Sequence, residues 1–148
     1  MADDRIRGRT GWIISDGKMG NDVQTRGVFD ALGLDYQIKC IEPTRLQSWL
    51  APYARVGRSN GFKAPGGPFT APWPDFVISI GRLTTPYMRA MRGHAGFATY
   101  RIILQDPKVS LKTADLFWMP EHDRRRGPNI VTTLTAPHSF SARRIAEL

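Results

Sequence analysis

The feature of this sequence that most constrains its fold is a strand–helix–strand pattern near the N-terminus. A short apolar run at residues 10–15 is followed by a loop with two glycines, a segment of helical periodicity that ends at Gly33, and an alternating segment at residues 34–40. Such a unit makes its two strands parallel neighbours, because the crossover helix returns the chain to the same end of the sheet. The predicted buried face of the helix consists of Val23, Gly27, Val28, Ala31 and Leu32.

The rest of the chain continues this alternation. Helices are predicted at residues 46–53 and around Tyr87, with Pro86 in the first turn of the second one. Short strands alternating with helices indicate a mostly parallel sheet with helices on both faces, so the predicted fold class is α/β and Rossmann-like. The further predicted strands are residues 75–80, 100–105, 115–119 and 129–134.

A Pro/Gly-rich insert at residues 51–74 interrupts the predicted domain, which spans residues 1–140. The insert holds five of the eleven prolines and four of the fourteen glycines. Its aromatic side chains favour an Ω-like loop packed on its own domain, and a pocket cover or a membrane contact is the alternative. The segment at residues 141–148 has the pattern of an amphipathic helix that begins here, and we expect it to lead into a second domain. The aromatic residues of the insert and its approach are Trp49, Tyr53, Phe62, Phe69 and Trp73.

The charge of the chain favours an anionic partner. The formal net charge is +8, and 16 of the 21 basic residues are arginine, whose guanidinium suits phosphate and carboxylate. Nucleic acid is not expected, because the sequence has no zinc-ligand spacing, helix-turn-helix cue or ribonucleoprotein-type aromatic motif. Apolar runs are too short to cross a bilayer, and the single cysteine, Cys40, permits no internal disulfide. We therefore expect a cytoplasmic protein, with an anionic membrane surface as a candidate peripheral contact.

Four polar motifs follow predicted strands and are expected to meet at one edge of the sheet, where open parallel sheets bind their ligands. They supply all of the candidate site residues except Gln24, which lies in the helix predicted after the first motif. The candidate phosphate- or substrate-binding residues are Asp16, Gly17, Lys18, Gly20, Gln24, Gly81, Arg82, Thr84, Thr85, Gln105 and Glu121, and the candidate catalytic residues are Asp106, His122 and Asp123.

The first motif, residues 15–20, combines a glycine-rich turn, a lysine and a predicted helix N-terminus, all of which attract anions. It matches neither the dinucleotide-binding fingerprint nor a Walker A loop, so a tight turn is the alternative interpretation. Asn21 is the predicted cap of the helix, and Gln24 is placed to reach back in a variant of the capping box.

The second motif, residues 81–85, offers a glycine for close approach, a guanidinium fork on Arg82, and two threonines. The threonine hydroxyls are expected either to bind an oxyanion or only to cap the following helix.

The third and fourth motifs, residues 105–108 and 120–123, contain acids and an imidazole. Asp106 is either part of a plain Asp-Pro turn or a ligand-binding or catalytic residue, and His122 or Asp123 is a reasonable general base. Adjacent residues of an extended segment point to alternate sides, so Glu121 and its two neighbours are not expected to share a metal ion. No nucleophile-elbow motif is present, which disfavours a serine hydrolase.

Taken together, these motifs resemble those of one protein family. The residues that carry the resemblance, in chain order, are 16–20, Gln24, Gly27, 80–82, 105–107, 120–123, 127–129, 131–135 and His138. In this combination the chain resembles the mitochondrial-fission "elongated mitochondria" family of plants and its bacterial relatives, which often carry the label of predicted nucleoside-diphosphate-sugar epimerase. The resemblance covers nearly the whole chain apart from the insert.

The resemblance implies two Rossmann-like halves, similar to the GT-B glycosyltransferases, with this chain as the N-terminal, acceptor-side half. It implies a nucleotide sugar or a phosphorylated acceptor as the ligand, and it implies no cofactor and no metal. A non-catalytic scaffold or peripheral membrane protein is the alternative. An epimerase is the least favoured function, because neither G-x-x-G-x-x-G nor Y-x-x-x-K is present.

Overall fold

One six-stranded sheet organises the residues that the structure describes. In the computed structural model these are residues 4–56, 62 and 67–135. The sheet order is β2-β1-β3-β4-β5-β6, and every neighbouring pair is parallel, which confirms the α/β, Rossmann-like prediction. The predicted helix at residues 141–148, His138 and the domain limit at residue 140 lie outside the described residues. The strands are β1 Thr10–Ser15, β2 Asp35–Cys40, β3 Phe76–Ile80, β4 Tyr100–Leu104, β5 Leu116–Pro120 and β6 Ile130–Thr133.

Helices cover both faces of the sheet, as expected. Helix α1, Met19–Leu32, packs on one face, and α3, Thr85–Ala95, packs on the other. A short helix, α2, Arg45–Leu50, follows the carboxyl end of β2. Gly33 ends α1 in the left-handed conformation at φ 68°, which confirms the predicted stop.

The buried face of α1 differs from the predicted one. Val23 is 38% exposed and Ala31 is also exposed, whereas Phe29, which the prediction omitted, is fully buried. The reason lies in β1, where Gly11 leaves room for the Phe29 ring: a Cβ at Gly11 would come within 2.6 Å of a ring carbon. A single large side chain opposite a glycine thus sets the rotation of the helix on the sheet.

The described part of the insert divides into two regions. Phe62, Phe69 and Trp73 pack on the α3 face of the sheet, and the Phe62 ring stacks on His94 with ring centroids 4.6 Å apart. In the described part of the insert, these three side chains pack on the domain. Trp49 and Tyr53, which precede and begin the insert, remain 77% and 70% exposed.

Candidate functional site

The carboxyl edge of the sheet brings the four predicted motifs together. Strand β1 has β2 on one side and β3 on the other, so the chain reverses its direction of winding between β1 and β3. In open α/β sheets this switch point forms a crevice outside the strand ends, where ligands bind. The first two motifs follow β1 and β3, and the other two follow β4 and β5.

At the end of β1, Asp16 is a buried carboxylate that organises its own loop. Its side chain is only 2% exposed and accepts hydrogen bonds from the Lys18 backbone N–H at 3.1 Å and from the Asn21 side-chain amide at 3.4 Å. The Lys18 Nζ lies 3.8 Å from the same carboxylate and is otherwise exposed. Gly17 adopts φ 81° and donates to the Ser15 hydroxyl at 3.0 Å. The turn is therefore held by its own residues.

The predicted capping box at the start of α1 is wrong. The helix begins at Met19, two residues before the predicted cap, and Asn21 lies inside it with its side chain on Asp16. Gln24 lies too far into the helix to reach the cap position at Lys18. Its buried Oε1 has no hydrogen-bond partner among the described residues. The acid before the helix, rather than the amide within it, takes the role of ordering the first turn.

Gly20 is exposed at the start of α1, and no described atom lies within 4 Å of the position where a Cβ would stand. Packing within the described chain therefore does not explain this glycine.

The loop after β3 meets the loop after β1. Gly81 has φ 96°, and a Cβ there would lie 3.7 Å from the Asp16 carboxylate and 3.6 Å from the Asn21 amide. Thr84 and Thr85 are fully buried, and their hydroxyls donate to the carbonyl oxygens of residues 80 and 81. Thr84 makes no side-chain cap bond within the described structure, so the threonines hold the loop instead of presenting oxygen atoms to the crevice.

The Arg82 guanidinium, which was predicted to bind an anion, contacts the end of helix α2 instead. Its guanidinium donates to the carbonyl oxygens of Ser48 and Ala51, both at 2.8 Å, at the C-terminal end of α2. A cation at a helix C-terminus is favourable, because the unpaired carbonyls there carry partial negative charge. Arg82 thus fixes α2 against the carboxyl edge of the sheet.

A cavity of about 500 Å³ opens at the ends of β4, β5 and β6 and unites the third and fourth motifs. Gln105 and Lys108, on either side of the Asp-Pro turn, have φ angles of 66° and 60°. Positive φ is uncommon outside glycine, and such strain is concentrated at functional sites. The residues lining the cavity are Gln105, Asp106, Lys108, Pro120, His122, Asp123, Leu134 and Thr135.

Asp106 forms the floor of this cavity and is already engaged. Its side chain is 3% exposed and accepts from the Lys108 N–H and the Arg125 guanidinium, both at 2.8 Å, while the Lys108 Nζ lies 3.1 Å away. Burial alone raises the pKa of Asp106, but the hydrogen bonds from Lys108 and Arg125 and the positive charge of Arg125 outweigh it, and the net pKa is below the ordinary value. A carboxylate with these properties is a weak base and a good anchor.

The imidazole and the neighbouring acid are more accessible. His122 is exposed and Asp123 is half-buried, and both line the cavity. Glu121 is exposed, does not line the cavity, and donates its backbone N–H to the Thr133 carbonyl at 2.7 Å. Of the three predicted catalytic residues, His122 and Asp123 therefore have the accessibility that a base requires.

Two residues of this site, Lys108 and Arg125, were absent from the predicted set. Arg125 joins the two loops, because its guanidinium donates both to Asp106 and to the Val109 carbonyl oxygen. The signal for Lys108 was its position two residues after a strand-terminal aspartate, which repeats the spacing of Asp16 and Lys18. Arg125 stands in a run of three arginines, and the sequence has no feature that distinguishes it from its neighbours.

Among the described residues, no group of three or more histidine, cysteine, aspartate or glutamate side chains is placed to hold a metal ion. In the same part of the chain, no helix combines the length and apolar character needed to traverse a bilayer. Cys40 is the last residue of β2 and is exposed.

Comparison with known proteins gives one result. The sequence profile of the family described as Mitochondrial fission ELM1 matches residues 19–148. No curated protein and no solved structure matches the chain. The matched region includes α1, all later strands and every residue of the cavity at the ends of β4, β5 and β6. The chain belongs to the mitochondrial fission ELM1 family.

Proposed function

We propose that this chain is the acceptor-side domain of a GT-B-like, nucleotide-sugar-dependent sugar-transfer protein. The observation that carries the proposal is the cavity at the ends of β4, β5 and β6, where an accessible imidazole, a half-buried carboxylate and a lysine lie close to the buried Asp106 and its partner, the partly buried Arg125. The cavity lies at the carboxyl edge of a parallel sheet, where the ligands of this fold class bind.

In the proposed reaction His122 is the general base, with Asp123 as the alternative. The base removes the proton of an acceptor hydroxyl, the acceptor oxygen bonds to the anomeric carbon of the sugar, and the bond from that carbon to the diphosphate breaks. The nucleoside diphosphate leaves with the electron pair. Lys108, whose side chain is 79% exposed, supplies positive charge for an acceptor phosphate or for the leaving group.

The proposal is tested by ligand-induced thermal shifts of the full chain with UDP-sugars, GDP-sugars, phosphorylated sugars and NAD. We expect stabilisation by a sugar nucleotide or a sugar phosphate, and we expect Lys108→Gln to remove most of it while Lys112→Gln, a lysine outside the cavity, leaves it intact. Stabilisation by NAD alone would overturn the proposal in favour of the epimerase. Equal shifts in the two lysine variants would place binding elsewhere.

A specific observation also favours the second candidate, a scaffold that docks on an anionic membrane. Helix α2 and its C-terminal extension expose Leu46, Trp49, Leu50 and Tyr53, which are 63%, 77%, 44% and 70% accessible. Arg45 and Arg89 are exposed, and the Arg89 guanidinium donates to the Pro52 carbonyl oxygen at 3.2 Å, which places it beside this surface. Aromatic and aliphatic side chains flanked by arginines suit the boundary between acidic headgroups and acyl chains.

Co-sedimentation with phosphatidylserine-containing and phosphatidylcholine vesicles tests the second candidate. We expect binding only to the acidic vesicles, lost in Trp49→Ala and kept in Phe97→Ala, an aromatic residue that is 91% exposed outside α2. Equal loss in both variants, or no binding to either vesicle, would reject the docking surface. The thermal shifts test ligand binding in the cavity, and the vesicles test membrane binding by α2. Either proposal can therefore be rejected without affecting the other.

A further inference from the structure

A second cavity, of about 490 Å³, lies at β1 and β2, away from the cavity at the ends of β4, β5 and β6, and takes no part in the site described above. It stands over the first residues of β1 and along β2, and the segment 70–74 of the insert closes one side. The residues that line it include Trp12 from β1, a polar row from β2, and Trp73.

The aromatic wall of this cavity is formed by two tryptophans. The Trp12 and Trp73 rings meet edge to face, with centroids 5.7 Å apart and planes at 62°. Trp12 is 5% exposed, whereas Trp73 is half-buried. Because Lys39 lies over the Trp12 ring, the indole that is open to a ligand is that of Trp73, which provides a flat apolar surface for a ligand ring.

The polar row comes from the geometry of β2. Asp35, Gln37 and Lys39 are alternate residues of one strand, so their side chains lie on the same face of the sheet. At about 3.3 Å per residue, the row is roughly 13 Å long, with a carboxylate at one end and an ammonium at the other. The row therefore offers acceptors, an amide and a cation beside the indoles.

Lys39 has no carboxylate within 4.0 Å of its Nζ among the described residues, and instead it lies over the Trp12 ring, 4.6 Å from the centroid. Partial burial lowers the pKa of this ammonium. A partly desolvated cation without an anionic partner is costly, and an anion entering the cavity offsets that cost. Within the described residues, the site thus combines an ammonium that has no carboxylate partner with an aromatic surface.

We infer that this cavity binds an acidic saccharide, whose ring lies against the Trp73 indole, whose carboxylate pairs with Lys39, and whose hydroxyls bond to Gln37 and Asp35. A purely apolar ligand would leave the three polar side chains without partners. A bare phosphate would not use the Trp73 indole. The inference does not depend on the proposed sugar transfer, because it concerns different residues at a different place on the sheet.

The test is titration of the full chain with glucuronate, followed by tryptophan fluorescence and by calorimetry. Glucose is the neutral matched ligand, and inorganic phosphate is the simple anion. We expect glucuronate to bind at least tenfold more tightly than glucose or phosphate, and we expect Lys39→Gln to reduce its affinity by about tenfold. Gln37→Ala should weaken the binding of glucuronate by a smaller factor.

Lys108→Gln is the matched control, because it removes a lysine of the carboxyl-edge cavity and should leave glucuronate binding unchanged. Loss of binding in this control, or equal affinity in Lys39→Gln and the parent, would overturn the inference. Phosphate binding as tight as that of glucuronate would show an anion site with no saccharide specificity. Circular dichroism of each variant confirms that the fold is kept.

Discussion

Two loops at the carboxyl edge of the sheet contain the same local arrangement of an aspartate and a lysine, with different results. After β1 and after β4 stands an aspartate that is almost fully buried and accepts the backbone N–H of the lysine two residues later, at 3.1 Å for Asp16 and at 2.8 Å for Asp106. The side chain that donates a further hydrogen bond to the aspartate differs between the two loops. Asp16 takes the side-chain amide of Asn21, from its own helix, whereas Asp106 takes the guanidinium of Arg125, from the loop after β5.

The difference teaches how a sheet edge becomes a site. A partner five residues away closes the β1 loop on itself, and Gly81 then fits against the closed loop. A partner nineteen residues away ties two loops together and leaves a cavity between them. Thus the residues at the switch point between β1 and β3 satisfy one another, and the accessible chemistry lies at the ends of β4, β5 and β6.

The largest expected effect tests the two buried carboxylates directly. Asp106→Ala leaves the partly buried Arg125 without its ion-pair partner and should lower the free energy of unfolding by roughly 3 kcal/mol. Asp16→Ala frees mainly a neutral amide and an N–H, and it should cost roughly 1–2 kcal/mol. Urea unfolding of the full chain measures both values. Asp123→Ala, at a half-buried acid of the cavity, is the control, and equal losses at Asp16 and Asp106 would contradict the comparison.

The closed loop is tested next at its glycine. Gly81→Ala places a side chain at φ 96° and close to Asp16, and it should cost roughly 1–2 kcal/mol of unfolding free energy. Gly93→Ala is the matched control: this glycine lies in α3 with no described atom within 4 Å of its added Cβ, so the change should stabilise the chain by about 0.5 kcal/mol. Thermal unfolding of both variants decides, and a harmless Gly81→Ala would show that the β3 loop relaxes freely.

The pH dependence of stability gives a smaller effect with a definite sign. Because the folded pKa of Asp106 is below its unfolded value, its stabilisation is present above the unfolded pKa and is lost as the pH falls through the folded pKa. The difference in unfolding free energy between the parent chain and Asp106→Asn should therefore be constant near neutrality and narrow below about pH 4. Parallel curves from pH 6 to pH 3 would show that Asp106 does not contribute through its charge.

Asp75 adds a second acid-sensitive contribution that remains in the Asp106→Asn variant. The Thr10 backbone N–H and the Arg9 guanidinium lower the pKa of Asp75, and they outweigh the opposing effect of burial. Some acid sensitivity should persist in Asp106→Asn for this reason. The Asp75→Asn variant measures that part separately.

The smallest expected effect on stability is at His122, which should matter for binding or catalysis instead. Because the imidazole is exposed and no hydrogen bond from it is found within the described structure, His122→Asn should change the unfolding free energy by less than about 0.5 kcal/mol. Any sugar-transfer activity should fall by roughly a hundredfold, as expected on loss of a general base. A large loss of stability with unchanged activity would assign His122 to the structural part of the edge.

The sequence predicted the elements better than it predicted their contacts. Strand and helix positions follow from apolar periodicity and from residues that end helices, such as Gly33, and these are local properties of the chain. The rotation of α1 was wrong because it depends on Phe29 meeting Gly11 across eighteen positions of sequence. The capping prediction at Asn21 was wrong for a related reason, since a buried aspartate outside the helix competes for the same amide.

The sequence showed that the site residues belong to polar motifs after strands. It did not show which of them hold the loops together and which line a cavity. From the sequence, Arg82, Thr84 and Thr85 were candidate site residues in the same way as the residues after β4 and β5. The structure engages the arginine with α2 and the threonines with loop carbonyls. These hydrogen bonds join residues up to 34 positions apart, so local sequence spacing does not predict them.

By itself, the sequence determined the α/β class and the parallel pairing of the first two strands, because a helical crossover between short apolar runs leaves little choice. It also determined the family, through motifs that keep their order along the chain. Only the tertiary structure decided the strand order, and with it which loops meet. Arg125 reaches Asp106 because β5 lies beside β4, and the same packing leaves the cavity open while the β1 and β3 loops close on each other.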